Sequence, residues 1–343
     1  MLKAPFPWFG GKSRVAHIVW ERFGNVPNYV EPFFGSGAVL LGRPDNPGTE
    51  TVNDKDGYVA NFWRSVQRDP EKVAHYADYP VNENDLHARH SWLIEQKQFF
   101  VPLLEGDPDF YDAKIAGWWV WGVSCWIGHG FCSGVGPWKS VELLAGERGV
   151  TRKLVHLAGQ RGVTRKRVHL ARQRGVTRKR VNLTNDNVGV NTRPGLIEWM
   201  CELSYRLRSV CVCCGDWSRI CGPTPTKLQG LTAVFLDPPY SDDADRAEVY
   251  STDDFQIAHA VRKWAISQGE DPLMRIALCG YEGEYGMPDN WDKHQWKAAG
   301  GYEGQAKGER SGNSGRERIW FSPHCLRAEA GPLFKNVVNS AWQ

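Results

Sequence analysis

The stretch AVFLDPPYSDD, residues 233–243, decides how this chain is read. Four apolar residues run into Asp237, and Pro238 and Pro239 follow at once. The run has the character of a buried strand, and a proline pair cannot continue one, because proline lacks the ladder N–H and fixes φ. Asp237 therefore stands at a strand end, with the ring of Tyr240 just beyond it. Such a residue either serves chemistry there or caps a turn, with Tyr240 packing inward.

Toward the N-terminus the pattern of strand ends repeats. NYVEPFFGSGAVLLGRP, residues 28–44, reads as a strand over 28–30, a turn holding Phe33, Gly35 and Gly37, and a helix start. Glycines there let backbone approach a ligand and leave amides at a helix N-terminus. The turn is not a dinucleotide fingerprint, because Leu40 stands where its third glycine belongs, which argues against a nicotinamide cofactor. A second strand, TETVND, ends at Asp54, 17 residues past Gly37. In a doubly wound fold an acid at this point accepts hydrogen bonds from a ribose diol. It suits equally well the N-cap of a helix over GYVANFWRSVQ, a task that Asp56 could also perform. Upstream, PWFGGKSRVAHIVWERF sets Gly10, Gly11 and Lys12 before an amphipathic helix with Val15, Ile18, Val19 and Phe23 on one face, without the spacing of a Walker loop.

Gly-Gly-Lys, Phe-x-Gly-x-Gly, an acid closing the next strand and a distant Asp-Pro-Pro-Tyr stand here in one order. In that order they resemble the Dam-like DNA adenine N6-methyltransferases of bacteria and bacteriophages. The resemblance covers residues 1–66 and about 205–325, and more loosely the interval between. It implies an α/β fold with a Rossmann-like methyltransferase sheet over 1–66 and 205–330, split by a mostly helical or irregular target-recognition insertion at 67–204. It implies methyl transfer from S-adenosylmethionine to the N6 of an adenine flipped out of double-stranded DNA, with no metal. Asp237 and the Pro238 carbonyl would accept the amine hydrogens, Pro239 would stiffen the corner, and Tyr240 would stack on the base. The cofactor would lie against Trp8, Lys12, Glu31, Phe33, Gly35, Gly37 and Asp54, close to Asp237. VCVCCGDWSRIC, residues 210–221, looks like the next strand, and its Asp216 would sit near the cofactor's adenine. Rival readings are a methyltransferase acting on cytosine N4, RNA or a protein amide, and a catalytically idle DNA-binding protein of a mobile element.

The 343 residues suffice for one large domain with an insertion or for two domains. The prolines and charges of MLKAPFPWFGGKSRV do not form a signal peptide, and nine scattered cysteines suggest reduced thiols, so a cytoplasmic protein is expected. Alternation on a strand throws Cys213 and Cys214 to opposite faces, which argues against a zinc knuckle. Residues 115–138 carry no formal charge over 24 positions, but six glycines, His129 and dispersed tryptophans argue for a buried aromatic region and against a membrane span.

Charge is distributed unevenly. GERGVTRKLVHLA, GQRGVTRKRVHLA and RQRGVTRKRVNLT begin at Gly146, Gly159 and Arg172, an internal repeat of period 13. Residues 146–184 hold twelve Lys and Arg against Glu147, a net +11, while the rest of the chain carries 30 basic and 38 acidic side chains, a net −8. One reading is an expanded surface loop without function. The other is phosphate contact through Arg152, Lys153, Arg165, Lys166, Arg178 and Lys179, each pair beside a glycine that permits close backbone approach. Downstream, residues 251–269 read as a helix laid on the sheet, MRIALCGY and RERIWFSP as strands, and the acidic 241–254 as a flap.

Overall fold

Short β-branched and aromatic runs closed by turn residues favour strands, and the chain sets helices between them, which calls for a parallel sheet. The computed structural model describes residues 2–8, 11–44, 48–126, 131–132, 193–239, 255–283, 286–296 and 317–327. Its strands are β1 (Asn28–Glu31), β2 (Thr49–Asp54), β3 (Val210–Cys214), β4 (Thr232–Leu236), β5 (Met274–Tyr281), β6 (Asp292–Gln295) and β7 (Glu317–Phe321). They form one seven-stranded sheet in the order β3-β2-β1-β4-β5-β7-β6. β1 to β5 pair in parallel, and β7 pairs antiparallel with both β5 and β6. This is a mixed α/β, Rossmann-like architecture, as the sequence pattern implied.

From β1 the chain first builds outward to β2 and β3, then returns to place β4 on β1's other side. Ligands of open α/β sheets bind outside the carboxyl ends of the strands where this reversal occurs. Here that point lies between β1 and β4, so the glycine turn after Glu31 and the Asp-Pro-Pro corner after Leu236 emerge side by side.

The helices are α1 (Ala16–Phe23), α2 (Ala38–Leu41), α3 (Gly57–Arg68), α4 (Pro70–Ala77), α5 (Glu83–Gly106), α6 (Ala113–Cys125), α7 (Arg193–Leu207) and α8 (Phe255–Gly269). Caps account for several starts. Asp56, Asp69, Asn82 and Asp112 each accept a backbone N–H of the first turn of α3, α4, α5 and α6, a contribution of about 1 kcal/mol each. The cap of α3 is thus Asp56, which leaves Asp54 for another task.

Alternation along the strands sends Tyr29, Ala233, Phe235, Ala277, Ile319 and Phe321 into one core, shared with α1, α2, α3, α6 and α7. Val30, Val234, Leu236, Ile276, Leu278 and Trp320 face the other, where α8 lays down Ala258, Val261 and Ala265. The first part of the charge-free run, 115–125, lies in α6, with Trp119, Val120 and Trp121 at most 1% exposed. Gly117 lets α6 approach α4, since a Cβ there would lie 2.4 Å from the Cβ of Tyr76. Phe6 packs edge-on against Phe62 at 5.3 Å and Trp119 at 5.0 Å, pinning the N-terminal segment between α3 and α6. Among the described residues no helix is long and apolar enough to cross a membrane, and all nine cysteines are free thiols.

A buried charge cluster braces the frame behind the glycine turn. Glu50 of β2, whose side chain is wholly buried, accepts from Arg43 at 2.9 Å and from both terminal nitrogens of Arg206 at 2.7 Å. The two guanidiniums also donate to the carbonyls of Val26 and Leu40, tying α7 and the end of α2 to β2.

Candidate active site

The turn after β1 is fixed from all sides. Gly35 and Gly37 adopt φ of 46° and 68°, left-handed backbone that favours glycine. A Cβ on Gly35 would lie 2.5 Å from the indole nitrogen of Trp8, so the Trp8 ring lies directly on this turn. The Phe34 N–H donates to the Asn53 carbonyl at 2.9 Å, and the Trp63 indole donates to the Gly35 carbonyl at 2.9 Å. Asp54 accepts from the Gly35 N–H at 2.8 Å and from the Asp56 N–H at 2.9 Å. The acid that closes β2 thus reaches the first loop, as its spacing from Gly37 implied.

Asp54 is half-buried between the glycine turn and the start of α3. Burial, with Asp56 adding to it, pushes its carboxyl up to about 7 against the pull of the backbone amides. Glu31 is more enclosed, 2% exposed, and accepts from the Tyr29 hydroxyl at 2.8 Å. Burial raises its carboxyl well above the ordinary range, and Asp237 and Asp54 push in the same direction. Glu31 therefore faces inward beneath the turn, while Phe33 lies at its rim.

Asp237 leaves β4 beside this turn. Its Oδ2 lies 2.7 Å from the Nζ of Lys12, with the lysine side chain 5% and the aspartate 20% exposed. Burial disfavours the Lys12 charge, but Asp237, with Glu317 behind it, more than offsets it and raises the ammonium above its usual range. The ammonium also sits 5.4 Å from the ring centroid of Trp296. Pro238 is buried and Pro239 half-buried.

On the other flank, Asn53 donates to the carbonyls of Pro32 and Gly215 at 3.2 and 3.0 Å, joining the turns after β1 and β3. Asp216 follows Gly215, exposed, with one oxygen accepting from the Ser218 N–H at 2.9 Å. Trp217 stacks on Phe33 with ring centroids 6.3 Å apart. Cys213 packs toward the α8 side and Cys214 into the opposite core, as strand alternation required. Among the described residues no group of three or more His, Cys, Asp or Glu could hold a metal ion.

The candidates Trp8, Lys12, Glu31, Phe33, Gly35, Gly37, Asp54, Asp216, Asp237, Pro238 and Pro239 thus line the carboxyl edge of β4, β1, β2 and β3. Asn53, Trp217, Cys279 and Trp296 join them without having been singled out from sequence; only strand order brings them there. Tyr240, the acidic stretch 241–254, and Arg152, Lys153, Arg165, Lys166, Arg178 and Lys179 lie outside the described residues.

Residues 8–100 match the model of the D12 class N6 adenine-specific DNA methyltransferase family. No curated protein matches the chain. The matched segment supplies Trp8, Lys12, the glycine turn and Asp54, and the sheet sets Asp237 against Lys12 at the same edge. Over residues 8–100 the chain is thus similar to the D12 class N6 adenine-specific DNA methyltransferases, which indicates a DNA methyltransferase.

Proposed function

We propose that the protein binds S-adenosylmethionine at the ends of β1, β2 and β3 and methylates N6 of an adenine rotated out of duplex DNA against Asp237. The observation that carries this reading is the position of Asp237 at the sheet's reversal point, its carboxylate held by Lys12 beside the glycine turn.

The residues fit the cofactor. Glu31, Asp54 and Asp237 gather carboxyls at one edge, and the groups that act most strongly on Asp54 include no cation. That donor set suits a ligand with cationic charge and a hydroxyl pair. Asp54 would accept from the ribose, Trp8 and the glycine backbone would bound the methionine portion, and Phe33 with Trp217 and Asp216 would flank the adenine. When bound, S-adenosylmethionine supplies a methyl group on a sulfonium, already activated for transfer.

An exocyclic adenine amine is a weak nucleophile because its lone pair is delocalised into the ring. Asp237 and the Pro238 carbonyl accept one N6 hydrogen each, drawing the nitrogen toward a tetrahedral form, and the prolines hold the two acceptors convergent. Lys12 occupies Oδ2 and orients the carboxylate. Tyr240 offers the face on which the flipped base stacks. N6 would take the methyl as the N–C bond forms, leaving the sulfonium a neutral thioether, and the proton that N6 then sheds would pass to Asp237, which already accepts it as a hydrogen bond.

A ribose hydroxyl donated to Asp54 favours its ionised form, and protonation competes with that contact below its pKa of about 7. Affinity for S-adenosylmethionine should therefore fall as pH drops through 7, by about tenfold per unit. Calorimetry between pH 5.5 and 8.5 measures it, and in Asp54→Asn the dependence should flatten.

Residues 67–204 are assigned to target recognition, with the repeats at 146–184 as its phosphate-binding element. Deleting the repeats should flatten the salt dependence of DNA affinity, by a slope of about 0.9 for each phosphate that the deletion leaves unneutralised. An unchanged slope in binding titrations would return them to the status of an idle loop. Incubation of the purified protein with methyl-labelled S-adenosylmethionine and duplex DNA, followed by nucleoside analysis, tests the whole reading.

A further inference from the structure

We propose that Cys279 is a positioning residue for Asp237, its thiol donating to the carboxylate from beneath so that one oxygen stays aimed at the amine of the target base. The inference rests on reading Asp237 as the group that touches that amine.

Register puts the two side by side. β4 and β5 pair in parallel with Leu236 opposite Leu278, so the next residues on each strand are Asp237 and Cys279. Alternation then turns Cys279 toward the same core as Phe235 and Ala277, the side from which Lys12 reaches Asp237. Cys279 is 0% exposed, and its thiol hydrogen-bonds the Asp237 carboxylate. Burial, then Asp237, raise the thiol well above its usual range, so it remains a neutral donor and does not add a second anion.

Asp237 is thus held by two donors. Lys12 takes Oδ2 from the N-terminal segment, and Cys279 donates from β5. Among the described residues, the other ionisable groups facing this cluster include Glu31 of β1, near Asp237, and Glu317 of β7, near Lys12 and Cys279. A carboxylate with free rotation about its last bond would spend time with neither oxygen toward the substrate. Two fixed donors remove that freedom, and one of them carries no charge, so it orients without further strengthening the Lys12 pair.

The test compares Cys279→Ser, Cys279→Ala and Asp237→Ala in the full chain, assayed with methyl-labelled S-adenosylmethionine and adenine-containing duplex. Cys279→Ala should lower kcat by about 10-fold or more with little change in KM for DNA, the scale on which orienting partners act. Cys279→Ser should recover most of that loss. Wild-type kcat in both variants would overturn the inference, as would a raised KM for DNA at unchanged kcat or a loss in both that merely follows a lowered melting temperature. Should the variants fold poorly, the infrared S–H stretch serves instead: in Asp237→Asn minus wild type it should move to higher frequency, and an unmoved band would sink the proposal. Asp237→Ala that still methylates adenine would overturn the reading of Asp237 itself, and the inference with it.

Discussion

Replacing Asp237 by asparagine is expected to lower kcat by about 10²–10³-fold, the usual consequence of removing one preorganised electrostatic contact to a reacting group. Asparagine keeps the shape and one acceptor oxygen but loses the charge that draws hydrogen from N6. It also weakens the hold on Lys12, which is 4% exposed and pairs with Asp237 at 2.7 Å. Removing one partner of a buried pair costs about 3–5 kcal/mol when nothing replaces it. The asparagine carbonyl and nearby Glu317 should reduce that figure. The double variant Lys12→Met, Asp237→Asn should regain stability in urea unfolding while staying inactive, which separates the ion pair from the chemistry. Equal recovery of activity and stability would show that Asp237 serves the fold alone.

Glu50→Ala is expected to be the most destabilising single change, at about 3–5 kcal/mol, because it strands two guanidiniums in the core. Arg43 and Arg206 both close on this one carboxylate, with the Glu50 side chain at 0% exposure. Their bonds to Val26 and Leu40 hold the end of α2 and the last turn of α7 in place, so the loss should spread to the glycine turn. Urea unfolding measures it directly. A loss below about 1 kcal/mol, the range of an exposed pair, would mean that the cluster is not closed to water. Glu50→Met combined with Arg43→Met and Arg206→Met should recover much of the loss, since apolar groups of similar volume often replace buried ions without penalty.

The ends of β1, β2 and β4 were legible because each sits where an apolar run meets glycine, acid or proline, a signal carried within a few neighbouring residues. For Asp54 the sequence left cap and ligand open, and the structure separates them: Asp56 caps α3 while Asp54 holds the Gly35 amide. The pairing of Lys12 with Asp237 was not legible, because it depends on which strands are neighbours, and no local pattern encodes strand order. Cys279 and Trp296 were hidden for the same reason. β6 escaped notice because an edge strand of sequence DKHQ, mostly exposed, has no inward face to impose alternation. Glu50 did leave a trace, standing two residues before the fully buried Val52 on the same strand face. A lone acid in that register called for buried basic partners, but only the fold says which.

The central claim is that the corner at Asp237 activates the amine of adenine in DNA for a methyl donor bound beside it. The measurement that bears on it most directly is mass analysis of nucleosides from duplex DNA treated with the purified chain and methyl-labelled S-adenosylmethionine, run in parallel with Asp237→Ala. Label in N6-methyldeoxyadenosine alone, absent from the variant, is the expected result. Label in N4-methyldeoxycytidine, or equal label from both proteins, would contradict it.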